Sequence, residues 1–165
     1  MHNNPLGMER VHHVSWTVAD IDAVVDFYGR VLGARILYRH DAIDAAQLPR
    51  EPDGRDWTES HLGIPDASLR LAMLELPDGC ALELFEYLRP AGKTSAPPAG
   101  NHIGGHHLGI QVRSIEAASR VLLDNGCSVL QEIIPPDDAS IRFRYFTDPW
   151  KNIFELVELS HAKNP

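Results

Sequence analysis

The chain lacks the features that mark several large classes of protein. Its two cysteines, Cys80 and Cys127, lie far apart and in no C-x-x-C pattern. Nothing in that spacing asks for a disulfide framework, and a reducing compartment is the simpler expectation. A basic excess is also missing, since 15 Lys and Arg stand against 23 Asp and Glu, a net charge of −8. Phosphate binding needs a basic face and an anionic membrane surface attracts a basic cluster, so neither a nucleic-acid nor a membrane partner is expected. No apolar run approaches the ~20 residues of a membrane span. Met1 to Met8 carry no basic region followed by an apolar core, so no signal peptide is expected, and the expected location is cytoplasmic.

What is present is enough for a core. The chain has 165 residues, 44% of them hydrophobic, which suits one domain or two very small ones. Histidine is the unusual component, with nine copies, and makes metal or proton chemistry worth seeking.

Residues 11–18, VHHVSWTV, suit a strand. Asp20 follows as a helix N-cap, and Ile21, Val24, Val25, Tyr28 and Leu32 recur at helical spacing up to Gly33, a natural stop. A second strand is expected near 34–39. Residues 106–130 repeat the pattern: strand, cap at Ser114, helix, Gly126, strand. At a shift of 94 positions His12/His106, His13/His107, Val18/Val112, Ile21/Ile115 and Ala23/Ala117 are identical. The ends of the halves match too, LELFE at 82–86 and FELVE at 154–158. Each follows a turn signal, Pro77-Asp78-Gly79 or Asp148-Pro149-Trp150-Lys151-Asn152, with a further strand before it. Each half therefore reads strand–helix–strand–strand–strand. The first module spans 9–87 with an insertion at about 41–67, a Gly- and Pro-containing linker covers 88–105, and the second module spans 106–159. Together they are expected to make one structural unit. A loop as long as the insertion is often a lid or binding element.

Strand alternation then assigns faces. Val14, Trp16 and Val18 form an apolar face suited to lie under the helix, which leaves His13 on the other. By the same parity Leu108, Ile110 and Val112 oppose His107, whereas His12 and His106 fall with the packing or surface residues. In the last strands Glu83 and Glu155 sit at matching positions, within runs apolar enough to be mostly buried. A buried carboxylate without a partner is costly. The expected answer is one divalent ion held by His13, Glu83, His107 and Glu155. Two imidazoles and two carboxylates suit Fe, Mn, Co, Ni or Zn, with two adjacent positions open to water or substrate. Taken singly, each residue reads as structural; the repetition of both types at both places points to the ion.

The stretches HHVSWTVADIDAVVDFYGRVLGAR, CALELFEY, HHLGIQVRSIEAASRVLLDNG and RYFTDPWKNIFELVE resemble the vicinal oxygen chelate superfamily. That superfamily includes glyoxalase I, methylmalonyl-CoA epimerase, extradiol dioxygenases and bleomycin-resistance proteins. The resemblance implies an α+β fold of two tandem βαβββ modules whose mixed sheets form a cup around one metal site, with the four ligands just named. It implies a lyase or isomerase that binds a small vicinal-oxygen substrate in bidentate fashion and stabilises an enediolate-type intermediate. Similarity to bacterial glyoxalase I implies that Glu155 or Glu83 leaves the ion to act as base. Extradiol dioxygenases use one glutamate, and Glu83 would close a position they keep open. The epimerases tend to carry an amide where Glu83 stands, and a carboxylate in a strand that here reads Leu69-Arg-Leu-Ala-Met-Leu74. A bleomycin-resistance-type binding protein would generally lack the quartet. A homodimer is the expected assembly, since the family closes its cup within one chain or across two.

Four further residues are candidates for binding a small-molecule substrate. Phe85 shares the face of Glu83 and is expected to line the cavity. Arg142 and Arg144 share a face of their strand opposite Phe143 and Tyr145. With those aromatics under the helix, the arginines would line the cup and hold a substrate carboxylate or phosphate, the alternative being an exposed basic stripe. His61, in the insertion, is a candidate acid/base, the alternative being an inert loop histidine. His2, His40, His102 and His161 follow no pattern.

Overall fold

In a computed structural model, residues 5–92, 98–138 and 140–159 are described; His2, His161, Ala139 and part of the linker lie outside them. The chain divides into two compact units, Met1–Lys93 and Thr94–Pro165. The first contains β1 (His13–Thr17), α1 (Ile21–Leu32), β2 (Arg35–Asp44), a 3-10 turn (Ala45–Gln47), α2 (Trp57–Leu62), β3 (Ser68–Glu75) and β4 (Ala81–Arg89). The second contains β5 (Leu108–Gln111), α3 (Ile115–Asp124), β6 (Ser128–Ile133), β7 (Ile141–Thr147) and β8 (Ile153–Leu159). Each unit is one mixed four-stranded sheet, ordered β1-β4-β3-β2 in the first and β5-β8-β7-β6 in the second. The first strand of each pairs in parallel with the last, and the other pairings are antiparallel. This is the α+β, tandem βαβββ architecture expected from the sequence. Among the described residues no helix is long and apolar enough to cross a membrane.

Local chemistry explains the elements. The Asp20 carboxylate accepts the Ala23 N–H at 3.0 Å, and the Ser114 hydroxyl accepts the Ala117 N–H at 3.2 Å. Each satisfies a donor that the helix itself leaves open. Gly33 ends α1 at φ 71°, where a side chain would be strained. The sheet-facing side of α1 carries Ile21, Val24 and Tyr28, all fully buried, with Trp16 of β1 edge-on to Tyr28 at 6.0 Å. Burial of each large apolar side chain contributes about 1.5–3 kcal/mol.

The turns set the strand register. Asp148 is buried, and its carboxylate accepts the N–H groups of Trp150 and Asn152 at 3.0 and 2.8 Å and the Asn152 side-chain amide at 2.8 Å. That turn places Phe146 opposite Phe154 and Tyr145 opposite Glu155. The shorter turn at Pro77–Gly79 places Met73 opposite Glu83.

Register corrects the expectation for Arg142 and Arg144. Phe146, not Phe143 or Tyr145, packs under the helix, stacked on Phe154 at 5.0 Å. Its parity carries both arginines to the α3 side of the sheet. Arg142 pairs there with Glu116 of α3, with Glu132 at 2.8 Å and with Glu158 at 3.1 Å. Arg144 donates to Ser119 of α3 at 3.1 Å. The first unit repeats the cluster. Arg70 pairs with Asp22 of α1 at 2.7 Å and with Glu86 at 2.9 Å. Arg142 and Arg70 are thus helix-to-sheet clamps, committed to carboxylates rather than facing a substrate.

The insertion also differs from a plain loop. Its first residues extend β2, because pairing with β3 continues to Ile43–Leu69 and Asp44–Ser68. Its end forms α2, whose Leu62, with the following Ile64, packs on the buried cluster of Ala67, Leu69 and Leu71. Buried Asp56 holds this segment. It accepts the Thr58 hydroxyl at 2.7 Å and the N–H groups of Glu59 and Asp66 at 2.8 and 2.9 Å. The insertion is packed onto the sheet. Strand β4 likewise runs on to Arg89, so the connection between modules starts later than residue 88.

Two predictions follow from these contacts. The Asp66 N–H, then the Thr58 hydroxyl and Glu59 N–H, pull the Asp56 carboxyl from 3.8 down to about 2. A depressed folded value adds stability above the unfolded value that is lost as pH falls through the folded one. Asp56→Asn is therefore expected to lower the urea midpoint at pH 7, with the gap to wild type narrowing between about pH 4 and pH 2; a gap independent of pH would contradict it. Arg142→Met is expected to lower the thermal midpoint by leaving Glu116, Glu132 and Glu158 without their shared cation, while divalent-ion binding is unchanged. Thermal denaturation and calorimetric ion titration check it.

Candidate metal and substrate site

Each unit assembles one imidazole with one carboxylate. In the first, β1 and β4 run parallel, with Ser15 level with Glu83. His13 at the head of β1 reaches Glu83 on the face away from α1. His13 Nε2 stands 3.3 Å from Glu83 Oε2, and the side chains are 37% and 16% exposed. In the second unit Gly109 is level with Glu155, and His107, just before β5, does the same. His107 Nε2 stands 3.4 Å from Glu155 Oε2, with exposures of 43% and 17%. In both, the carboxylate is the deeper member and the imidazole the more open one.

Each pair supplies two donors suited to a borderline divalent ion, one nitrogen and one carboxylate oxygen. Both carboxylates are partly buried, at 16% and 17% exposure, where a positive partner is favourable. Among the described residues no group of three or more His, Cys, Asp or Glu side chains is arranged to hold a metal ion by itself.

A third group joins the second pair. Tyr145 is the cross-strand partner of Glu155. Its ring meets His107 edge-on, at a centroid distance of 5.2 Å. Burial, the Glu155 charge and a hydrogen bond to that carboxylate all raise the phenol's pKa. The corresponding residue in the first unit is Met73, which has no hydroxyl to offer Glu83. Sequence reasoning missed Tyr145 by placing it under the helix. The signal was available: counting outward from the Asp148–Asn152 turn pairs Tyr145 with Glu155.

Phe85 follows Glu83 on the same face, half-buried and stacked on Tyr87 at 6.0 Å. Burial and the charge of Glu83 raise the Tyr87 pKa. Phe85, Tyr87, Leu62 and Ile64 all pack on the buried cluster of Ala67, Leu69 and Leu71, so this end of the face is apolar and aromatic. His61 has a different place. It is exposed on α2, stacked on Trp57 at 4.7 Å, with Nδ1 2.8 Å from the Trp57 carbonyl oxygen. It lines a pocket of about 240 Å³ with Glu51, Pro52, Asp53, Arg55 and Ser60, and neither His13 nor Glu83 lines that pocket. Arg142 and Arg144 lie on the opposite, helix-bearing face.

Comparison with known proteins agrees with this architecture. A 2-epi-5-epi-valiolone epimerase from an Actinomyces species is 36% identical over 158 residues, covering 93% of this chain and 81% of that protein. A glyoxalase family protein from Bacillus cereus superposes with a TM-score of 0.77 at 21% identity, covering 96% of this chain and 98% of the other. FosX, the fosfomycin resistance protein of Listeria monocytogenes, in a structure with Mn(II) and sulfate, gives a TM-score of 0.55 at 16% identity, over 92% and 93% of the two chains. At those identities the two structures speak for the fold. The profile of one family matches residues 10–156, and this chain belongs to it: the Glyoxalase/Bleomycin resistance protein/Dioxygenase superfamily.

Proposed function

We propose that this protein is a divalent-metal-dependent isomerase that epimerises a carbon beside a carbonyl in a small polyhydroxylated substrate. The observation that carries the reading is the repeated His–Glu pair, His13 with Glu83 and His107 with Glu155, one in each unit. The epimerase relative favours isomerisation over the glyoxalase I reaction and directs attention to polyhydroxy cyclic ketones.

His13, Glu83, His107 and Glu155 are the residues that would hold the ion. When bound, the ion would act as a Lewis acid toward vicinal substrate oxygens and stabilise negative charge developing there. The protein's own groups handle the proton. A carboxylate oxygen of Glu83 or Glu155 accepts the proton from the carbon next to the carbonyl, and a proton returned to the opposite face inverts the centre. One C–H bond breaks and one forms, with no change in oxidation state. The Tyr145 hydroxyl, on the residue directly across from Glu155, would steady that carboxylate by donating to it. Phe85 and Tyr87 offer an apolar wall that excludes water from one end of the first unit's face.

Protein purified without added metal is expected to carry a divalent ion, and His13→Ala or Glu155→Ala to weaken binding by more than about 100-fold and abolish activity. Activity retained in a metal-free variant would refute the metal's role. With 2-epi-5-epi-valiolone in D2O, one deuterium per turnover is expected next to the carbonyl, read by NMR. Turnover of a glutathione–methylglyoxal adduct without exchange into the cyclic ketone would point to glyoxalase I chemistry instead. Tyr145→Phe is expected to lower kcat about 10-fold, through one hydrogen bond to a charged group, while metal content stays the same.

A further inference from the structure

His12 was expected to point away from the ligand face, as the alternate residue of a strand. Strand geometry begins only at His13, so alternation does not bind residue 12. In the structure the His12 and His13 rings meet edge-on, with centroids 5.1 Å apart and planes at 88°. Their Nδ1 atoms are 2.8 Å apart. His13 therefore has a neighbour at each nitrogen, His12 Nδ1 beside Nδ1 and Glu83 Oε2 3.3 Å from Nε2.

The repeat supplies a comparison within the molecule. His106 occupies the place of His12, yet its Nδ1 lies 3.3 Å from the Gly104 carbonyl oxygen. The ring beside His107 is Tyr145. Equivalent histidines thus have different neighbours.

We infer that His12 is a positioning residue for His13: its imidazole orients the His13 ring and serves His13 Nδ1 in either tautomer. The inference rests on the metal-holding role proposed above. A close contact between two Nδ1 atoms requires that one donate and the other accept. An ion bound at one nitrogen of His13 leaves the other to hydrogen-bond, and His12 is the side chain placed to meet it. A backbone carbonyl at this position could only accept; an imidazole can donate or accept. Groups behind a metal-bound histidine commonly contribute 10–100-fold to affinity.

The test measures Zn(II) affinity by competition with a chromophoric chelator for wild type, His12→Ala, His12→Asn and His106→Ala. Long-range ¹H–¹⁵N spectra of the histidine rings are recorded at pH 8 with and without Zn(II). We expect His12→Ala to weaken Zn(II) binding about 10-fold or more, His12→Asn to recover part of the loss, and His106→Ala to stay within about twofold of wild type. The His13 ring signals should shift when Zn(II) is added, and shift differently in His12→Ala. Unchanged affinity in His12→Ala, or an equal loss in His106→Ala, overturns the inference while leaving the metal site standing. Absence of Zn(II) binding in wild type sinks the metal reading instead. The metal-free spectra then decide the His12 contact: a His13 ring signature identical in wild type and His12→Ala overturns it, and one that changes upholds it.

Discussion

A carboxylate set into a partly buried strand gains from a polar or positive neighbour, because water can no longer solvate it fully. Glu83 and Glu155 are both in that position, and in both units an imidazole is the neighbour. The parallel pairing of the first strand with the last makes this possible. It joins residues remote in sequence across one strand spacing, and the helix between them covers the other face. The crossover helix and the His–Glu pair are therefore consequences of one topology.

The same alternation disposes of charge on the helix side. Arg70 and Arg142 stand at equivalent places, each bridging an acid in the first turn of the helix to an acid on the last strand. Glu158 also accepts the Ile115 N–H at 2.7 Å, which ties the start of α3 to β8. Such pairs are partly shielded from solvent, so removing one member strands several charges of the other sign. The sheet thus separates two uses of glutamate. One face holds carboxylates opposite imidazoles, and the other consumes carboxylates in anchoring the helix.

Much of this was legible in the residues because the chain says it twice. The caps Asp20 and Ser114, the stop at Gly33, and the matched His and Glu positions each have a local or alternating signature. Arg142 and Arg144 misled because β7 carries aromatics on both faces, Phe143 and Tyr145 on one and Phe146 on the other. Composition alone cannot say which aromatic is core. The register decides, and buried Asp148 sets it through a turn of unusual sequence. The insertion misled differently. Its order comes from Asp56 gathering a hydroxyl and two N–H groups within a short segment, a polar network with no period to detect.

The two halves are alike in fold and unlike in chemistry. Glu155 faces a phenol, whereas Glu83 faces a thioether; His13 touches a second imidazole, whereas His107 touches the edge of that phenol. Thioethers accept hydrogen bonds weakly and donate none, so Glu83 gains nothing from Met73 in restraint. A duplicated module begins with equal halves, and a reaction that takes a proton from one face of a carbon and returns it to the other gives no reason to keep them equal. The anchored carboxylate and the less restrained one suit different tasks. The symmetry of the strands places the His–Glu pairs, and its failure at positions 73 and 145 makes the two carboxylates distinguishable.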